Sequence, residues 1–318
     1  MSAPFSWRER NAFVARMKAI CAAGQMRCPD GRRMFRVADN PLLRADSLAP
    51  ISVPEGGCAL TGVFGGEGFF AAPCASSHEG ARALMRAVIE RQRAWGAVRV
   101  VGPVKPSLFD FDNGAALGDS DISPFTERLP AYFGAALREA GFVEAGRSIL
   151  YALDAETADR AKYERAAAYS AARFGYRVVS ARDMGDSAAC RAIARVSRTD
   201  PAMAHSDGET AAMLASLGGM WSRRMTRVAM RGEEPVGYLL ALEDRKSRTA
   251  RAATIQVMPD LRNRAVTAAL MLPLLDEAEG MRVECGVIDE GNMASRLSVE
   301  RAGAYPLTIL RRYAMELI

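Results

Sequence analysis

Apolar residues in the first half of the chain follow a helical period in some segments and form strand-like runs in others. Between residues 77 and 95, Leu84, Val88 and Ile89 recur at intervals that place them on one face of a helix, which Gly96 ends. Further helices are predicted at residues 7–23 and 131–140, and strands at residues 34–37, 58–64, 98–101 and 148–153. The first half therefore mixes helices and strands.

The second half shows a regular succession of short apolar runs and amphipathic segments. Turn residues such as Gly232 and Gly303 separate the predicted elements. Strands are predicted at residues 176–180, 224–231, 235–243, 250–257, 282–288 and 307–317, and helices at residues 186–198, 207–217, 265–279 and 293–302. Neighbouring strands joined by short turns favour an antiparallel arrangement, so the pattern predicts an α+β domain.

The two halves resemble each other weakly. In each half a strand leads to a helix, a strand, a second helix that ends in Ala-Gly, and a final strand; residues 138–141 align with residues 300–303. We therefore predict tandem domains at residues 1–154 and 176–318. The alanine-rich, charged segment 155–175 is predicted to be a connecting helix.

Composition excludes several classes of protein. Hydrophobic residues make up 49% of the chain and charged residues 25%, which is typical of a soluble globular protein. No segment approaches the ~18 consecutive apolar residues that a transmembrane helix needs. The amino-terminal residues lack the apolar stretch of a signal peptide, so we expect a cytoplasmic protein with no membrane association.

The charge balance is basic, with 42 Lys and Arg residues against 37 Asp and Glu residues, a net charge of +5. Only Lys18, Lys105, Lys162 and Lys246 are lysines, so nearly all the cations are arginine. A GC-rich, bacterial genome accounts for an arginine excess. Phosphate recognition also accounts for it, because the guanidinium group is a planar fork of donors. Both explanations stay open.

Cysteines and histidines limit the metal chemistry. Six cysteines are scattered without a CxxC pair, and we interpret them as reduced thiols. His78 and His205 are the two histidines of the sequence, which excludes a zinc enzyme with several histidine ligands. The sequence predicts no metal site.

The motifs of the second half resemble those of the GNAT acyltransferases. The segment 257–270 (VMPDLRNRAVTAAL) looks like the family's fourth strand, pyrophosphate loop and third helix. The segment 292–303 looks like the fourth helix with its Asn and terminal Gly, and residues 235–240 resemble the strand after a polar hairpin. The resemblance covers residue 177 to the carboxyl terminus. It implies two tandem GNAT-like domains, each with a mixed, mostly antiparallel sheet flanked by helices.

The first half is similar to the amino-terminal part of a bacterial group of tandem GNAT proteins. Residues 100–103 and 132–142 carry this similarity, together with a polar loop that holds Asp112 and Asn113. That loop could hold a cationic acceptor or simply form turns. A glycine-rich phosphate loop is missing at the corresponding position, so we predict that this half does not bind the donor.

The resemblance places a donor site in the second half. A GNAT loop directs backbone N–H groups at a diphosphate, and the following helix adds the positive end of its dipole. The implied donor-binding residues are Gln256, Val257, Arg262, Asn263, Arg264, Ala265, Val266, Thr267 and Asn292. Ala265 and Thr267 stand where the family has glycine, which departs from the pattern because glycine allows close backbone approach to phosphate.

Three acyl donors fit a degenerate loop of this kind. Acyl-CoA is the family's usual co-substrate and uses the pyrophosphate loop. An acyl-carrier protein presents the same phosphopantetheine arm with one phosphate. An aminoacyl-tRNA, the donor of tandem GNAT-fold proteins of the Fem type, needs no diphosphate cradle and suits an arginine-rich surface. No tightly bound cofactor is expected.

The catalytic step requires a proton acceptor for the attacking amine and a donor for the leaving group. The family often uses a tyrosine on the fourth helix as that donor, and the matching position here is Val299. Candidate proton acceptors are Glu284 within the fifth strand, Glu290 after it, and His205 between two helices. A surface position beside the capping residues Ser206 and Asp207 explains His205 equally well.

Together these features predict an enzyme that forms an amide bond between an activated acyl group and a small-molecule amine. The donor is acyl-CoA or an acyl-carrier protein. One alternative is an aminoacyl-tRNA-dependent transferase of the same fold. The vacant tyrosine position supports a second alternative, a non-catalytic binding module. The acceptor and the oligomeric state are left open by the sequence.

Overall fold

The computed structural model describes residues 6–26, 28, 46–104, 114–118, 123–200 and 204–317. The chain divides into two compact units. Unit 1 comprises Met1–Ile149 and Thr308–Ile318, and unit 2 comprises Leu150–Leu307. The strand predicted at residues 34–37 and the loop residues Asp112 and Asn113 lie outside the described residues.

Unit 1 is built from an antiparallel hairpin series that continues into a parallel pair. Its elements are α1 (Trp7–Ala23), β1 (Ser47–Val53), β2 (Gly57–Phe64), β3 (Glu67–Ala75), α2 (His78–Ala94), β4 (Arg99–Gly102), β5 (Ala116–Leu117), β6 (Arg128–Leu129), α3 (Ala131–Glu139) and most of β7 (Val143–Asp154). β1 pairs with β2 and β2 with β3 in antiparallel fashion, whereas β3 and β4 are parallel. The sheet of unit 1 is therefore mixed.

Helices α2 and α3 cover the core of unit 1. Leu84, Val88 and Ile89 of α2 are buried, as their spacing predicts, and pack with Phe133 and Leu137 of α3. α1 packs on β2 and β3 through a separate apolar cluster. The helical period in the sequence thus identified the buried face of α2 correctly.

Unit 2 contains an antiparallel sheet with one parallel pair at its end. Its elements are α4 (Arg160–Phe174), β8 (Tyr176–Ser180), α5 (Ala181–Met184), α6 (Asp186–Ser197), α7 (Asp207–Leu217), β9 (Arg227–Arg231), β10 (Glu234–Asp244), β11 (Thr249–Val257), α8 (Val266–Glu277), β12 (Arg282–Asp289), α9 (Met293–Arg301) and the start of β13 (Tyr305–Glu316). Strands β8 to β11 pair antiparallel in sequence order, and β11 and β12 are parallel.

Helices α6 and α8 pack on opposite faces of this sheet. Tyr238 and Gln256 are cross-strand partners, and the Gln256 side chain reaches the backbone of α6. Successive side chains in a strand point to opposite faces. A Cβ on Gly237, the residue before Tyr238, would accordingly meet Val266 of α8 at 3.3 Å.

The α+β architecture with tandem units is confirmed, but the chain divides differently from the predicted boundaries. The last strand returns to unit 1, where residues 313–316 pair antiparallel with residues 99–102 of β4. The helix predicted as a connector at residues 155–175 is α4, which lies inside unit 2 and packs along α8. Strand pairing decides the first point and helix packing the second.

No helix within the described ranges is both long and apolar enough to cross a lipid bilayer.

Candidate functional site

Strands β11 and β12 separate along their length and leave a wedge in unit 2. Their parallel pairing runs from Thr249 and Arg282 to Ala252 and Cys285 and then stops, although both strands continue. A bulge at the Leu240–Ala241 step of β10 bends the neighbouring pairing at the same level. Residues 253–257 of β11 and 286–289 of β12 therefore form the two arms of what we call the fork.

A buried ion pair closes the base of the fork. Arg251 and Glu284 are cross-strand partners with side chains only 2% and 0% exposed. Arg251 Nε donates to Glu284 Oε2 at 2.9 Å, and Arg282 Nη2 lies 3.3 Å from the other oxygen of Glu284. Both oxygens of this predicted proton acceptor thus face guanidinium groups inside the sheet, an arrangement typical of a structural ion pair.

The loop after β11 contains strained backbone where the family's glycines were expected. Asn263 and Ala265 have φ angles of 64° and 59°, in the left-handed region that side chains other than glycine disfavour. Ala265 immediately precedes α8, and buried Leu261 and Val266 fix the two ends of the turn. Thr267 lies within the helix, so one of the two replaced glycines, Ala265, occupies a position that requires this conformation.

The amino terminus of α8 is open to the exterior. Among the described residues, no side chain caps its first turn. The side chains of Arg262, Asn263, Arg264 and Thr267 around it are exposed. The Arg264 guanidinium lies over the ring of Phe174, 5.3 Å from its centroid. The Arg262 guanidinium contacts no acceptor in the part of the chain that the structure describes, although its backbone amide donates to the Pro259 carbonyl. Amide donors and a guanidinium group thus face the same exterior region.

Gln256 belongs to a hydrogen-bonded network on the α6 face of the fork. Tyr238 Oη donates to Gln256 Oε1 at 3.2 Å and lies 3.2 Å from Ser197 Oγ, while Gln256 Nε2 donates to the Val196 carbonyl at 3.4 Å. Burial raises the pKa of Tyr238 to about 12. The side chain of Gln256 is therefore engaged with the protein, as is that of Val257, which is buried.

The turn after β12 carries two other predicted site residues. Glu290 is exposed, and its carbonyl oxygen accepts a hydrogen bond from Arg296 at 3.0 Å. Asn292 caps α9, because its side-chain oxygen accepts from the Ser295 amide at 3.1 Å. Asn292 thus starts the helix that the sequence predicted, by a local hydrogen bond.

Helix α9 is attached to unit 2 by polar contacts instead of a buried apolar face. None of its described residues is buried, and Met293 and Leu297 are 55% and 39% exposed. The hydroxyl of Tyr151 donates to Glu300 at 2.6 Å and accepts from Arg296 Nε at 3.2 Å. Tyr151 therefore brings a buried tyrosine hydroxyl to α9, although the family's tyrosine position on that helix is Val299. Tyr151 lies more than a hundred residues before α9 in the chain, so the sequence alone does not indicate this contact.

His205 lies in the connection between α6 and α7. Its side chain is half-buried, and its carbonyl oxygen accepts from Arg198 Nε at 3.2 Å. Arg198 also pairs with Asp207, in the first turn of α7. Ser206 forms a capping box with Glu209, so the backbone around His205 is held firmly on its carboxyl-terminal side.

The loop after β11, the turn after β12 and the connection between α6 and α7 all lie at one edge of the sheet of unit 2. β11 and β12 are parallel, so the loop with Arg262 and the turn with Glu290 begin at the same edge. The contact between Gln256 and Val196 places the end of α6, and hence the start of the connection with His205, beside the end of β11. The structure brings these segments to one edge, whereas Glu284 lies deeper, at the base of the fork.

Two open cavities of unit 2 lie outside the fork. One, of 370 Å³, is lined by residues that include Arg227, Pro273 and Glu277. The other, of 500 Å³, runs between α6 and α7 and includes Trp221, with the Arg223 guanidinium 4.3 Å from its ring centroid. No fork residue lines either cavity, and two of the lining arginines, Arg223 and Arg227, are paired with Asp186 and Glu277.

The fold is that of the tandem GNAT proteins. A tandem GNAT protein from the clavulanic acid biosynthesis pathway is similar over 97% of this chain and 96% of its own, with 14% identity and a TM-score of 0.62. A GCN5-related N-acetyltransferase from Sphaerobacter thermophilus matches 96% of this chain and 92% of its own, with 13% identity and a TM-score of 0.54.

A third similar structure is not described as an N-acetyltransferase. It is the C-terminal domain (DUF2156) of a putative lysylphosphatidylglycerol synthetase from Agrobacterium fabrum, which matches 97% of this chain and 93% of its own, with 14% identity and a TM-score of 0.51. None of the protein-family models matches the sequence, and no curated protein matches it. At these identities the likeness establishes the fold.

Proposed function

We propose that unit 2 is an N-acyltransferase that moves an acyl group from acyl-CoA, or from a phosphopantetheine-linked acyl donor, to a small-molecule amine. One observation carries the proposal: the fork opens beside the uncapped amino terminus of α8, next to the exposed guanidinium of Arg262. A linear donor with a thioester at one end and phosphate at the other matches these two features.

The backbone at the site fits such a donor. Residues 253–257 of β11 have no ladder partner on β12, so their backbone groups can pair with the amides of a pantetheine arm. The first amides of α8 and the Arg262 guanidinium suit an anionic phosphate. The methyl group of Ala265 reduces the room at the turn, and we expect it to weaken phosphate binding.

The protein's own groups then have separate tasks. The donor supplies an activated carbonyl, and the fork orients it toward the edge where the connection with His205 and the turn with Glu290 emerge. We assign proton acceptance from the amine to His205, with Glu290 as the second candidate, because both lie on segments at that edge. Glu284 holds the base of the fork through Arg251. Correct positioning supplies much of the rate in such transfers.

Calorimetric titration with CoA tests the proposal. Removing one charge-assisted phosphate contact costs ~1.5 kcal/mol, so Arg262→Ala should bind CoA roughly tenfold more weakly. Arg245→Ala is the matched control, because Arg245 is an exposed arginine in the loop before β11, at the opposite end of that strand. If Arg262→Ala and the wild-type protein bind CoA with equal affinity, the assignment of the donor site to the amino terminus of α8 is wrong.

An aminoacyl-tRNA is the alternative donor. Two observations favour it: the excess of arginine over lysine, and the shared fold with a domain of a putative lysylphosphatidylglycerol synthetase. This donor predicts tRNA binding that weakens steeply with salt. A gel shift at low ionic strength that is lost near physiological salt would support it. Binding of neither tRNA, CoA nor carrier protein would instead indicate a non-catalytic module.

A further inference from the structure

Four of the six cysteines meet in unit 1, at the junction of α1 with the sheet. Cys21 lies on α1, Cys28 shortly after it, Cys58 on β2 and Cys74 on β3. Cys58 and Cys74 are direct cross-strand partners, and both share one apolar cluster with Cys21, against which Cys28 packs. We call these residues the α1 thiol cluster. The wide spacing of these cysteines in the sequence does not predict that they cluster.

The chain path explains how Cys28 reaches the others. Beyond the end of α1 the backbone turns back, with Gln25 at a φ of 50° and the Met26 amide donating to the Cys21 carbonyl at 2.9 Å. Gly24 lies against β3, where a Cβ would come within 3.0 Å of Ser76. The end of α1 is thus held against β3, with Cys28 returned toward Cys21.

The thiols are graded in exposure within one cluster. Cys21 interacts with Cys74 and Cys28, and Cys74 also interacts with Cys58. Cys28 is partly exposed, whereas the other three are at most 1% exposed. Hydrogen bonds from Cys74 and Cys28 lower the pKa of Cys21, while burial and the charge of Cys21 raise the pKa of Cys28 to about 12. Cys21 therefore ionises more readily than Cys28 or Cys74.

We propose that the α1 thiol cluster is a thiol–disulfide exchange site for low-molecular-weight disulfides of the glutathione type, with Cys28 as the entry thiol and Cys21 as its resolving partner. Within the described residues, no three metal-ligating side chains have the arrangement of a metal site, which favours exchange over metal binding. The proposal concerns unit 1 and is independent of the acyltransferase site.

The exchange balances in two steps. Cys28 gives up its proton to solvent and attacks the small disulfide, so that a mixed disulfide forms and one small thiolate leaves. The Cys21 thiolate then attacks the Cys28 sulfur, forms the Cys21–Cys28 disulfide and releases the second small thiol. Cys74 positions the reaction, because it packs in the same buried cluster as Cys21 while its own thiol donates to the Ala72 carbonyl. One small disulfide is reduced to two thiols as two protein thiols are oxidised.

Mass spectrometry of the full-length protein in oxidised glutathione tests this assignment. We expect the mass to fall by two hydrogen atoms, two thiols to become resistant to alkylation, and peptide mapping to link Cys21 to Cys28. Because the first step depends on the thiolate of Cys28, its rate should rise about tenfold per pH unit between pH 7 and pH 9.

Variants separate the roles of the thiols. Cys28→Ser should abolish the disulfide, Cys21→Ser should leave a mixed disulfide on Cys28, and Cys74→Ala should slow closure several-fold. Cys190→Ser is the matched control, because Cys190 is a buried cysteine of unit 2, and it should behave as wild type. Cys28 is partly exposed, so its serine variant is expected to fold.

Three results would overturn the proposal. The first is wild-type protein that retains six alkylatable thiols after oxidation, and the second is glutathione that accumulates on Cys28 without formation of the internal disulfide. The third is a bound zinc or copper ion, found by native mass spectrometry, that protects the four thiols and makes the cluster a metal site.

Discussion

The carboxylate of Glu284 and the guanidinium of Arg251 form a buried ion pair one ladder position before β11 and β12 separate. Arg251 Nε and Nη2 both reach the same oxygen of Glu284, at 2.9 Å and 2.8 Å. Burial of an ion pair yields little net stability, but loss of one partner leaves the other charge buried and uncompensated. The base of the fork is therefore stable only when both residues are present or when both are replaced by apolar ones.

Glu284→Gln should destabilise the protein by about 3–5 kcal/mol, because it strands the charge of Arg251 inside the sheet. The double variant Arg251→Met, Glu284→Leu replaces both charges with apolar groups and should be more stable than Glu284→Gln. Urea unfolding at neutral pH measures both. A single variant within about 1 kcal/mol of wild type would show that the pair does not hold the fork.

Ala265→Gly should relieve backbone strain at the start of α8. The left-handed conformation costs an alanine roughly 1–2 kcal/mol, and the added freedom of glycine in the unfolded chain offsets part of the gain. We expect a net stabilisation of about 0.5 kcal/mol by urea unfolding. The same variant should bind CoA more tightly in calorimetry if the proposed donor site is correct.

Ala268→Gly is the matched control for this change. Ala268 lies in the first turn of α8 with helical backbone, so the same substitution should destabilise by about 1 kcal/mol. Equal effects of the two glycine variants would contradict the argument from the φ angle of Ala265.

Tyr151→Phe should loosen α9. The Tyr151 hydroxyl contacts both Glu300 and Arg296, and α9 has no buried side chain to hold it otherwise. Removing these charge-assisted hydrogen bonds should cost about 1.5–3 kcal/mol and speed hydrogen exchange in residues 293–301. Tyr176→Phe is the control, since the buried Tyr176 hydroxyl has no hydrogen-bond partner among the described residues, and α9 should then exchange as in wild type.

Ionisation of the buried Tyr238 hydroxyl should lower the stability of the protein at high pH. Its pKa is about 12 in the folded state and about 10 when unfolded, so its contribution is fully present below pH 10 and is lost as the pH rises toward 12. The difference corresponds to roughly 2–3 kcal/mol. Urea unfolding at pH 9 and pH 11 should show a smaller decline for Tyr238→Phe than for wild type. Parallel curves for the two proteins would contradict the assignment.

Much of the fold could be predicted from the sequence because local signals agree with tertiary packing. The helix predicted at residues 77–95 is α2, His78–Ala94, and the strand predicted at residues 282–288 is β12, Arg282–Asp289. The spacing of Leu84, Val88 and Ile89 suffices here, because a helix with one apolar face buries that face. The predicted strand at residues 224–231 begins later, at Arg227, because residues before it form turns.

The candidate site was predictable only in part. The sequence located the loop around Arg262 and the loss of glycine at Ala265. It did not show that Glu284 is paired with Arg251, that Asn292 caps α9, or that Tyr151 supplies a hydroxyl to that helix. Each of these depends on which residue lies opposite another across strands, which the order of residues along the chain does not specify.

By itself, the sequence determined the α+β class, most of the elements and the segment that resembles a donor loop, because these follow from period, caps and turn residues within a few positions. Only the tertiary structure decided that β13 closes unit 1, that Arg251 meets Glu284, and that four cysteines far apart in sequence form one cluster. Strand pairing and core packing bring distant residues together, and their free energies depend on the whole arrangement of the chain and not on its local pattern.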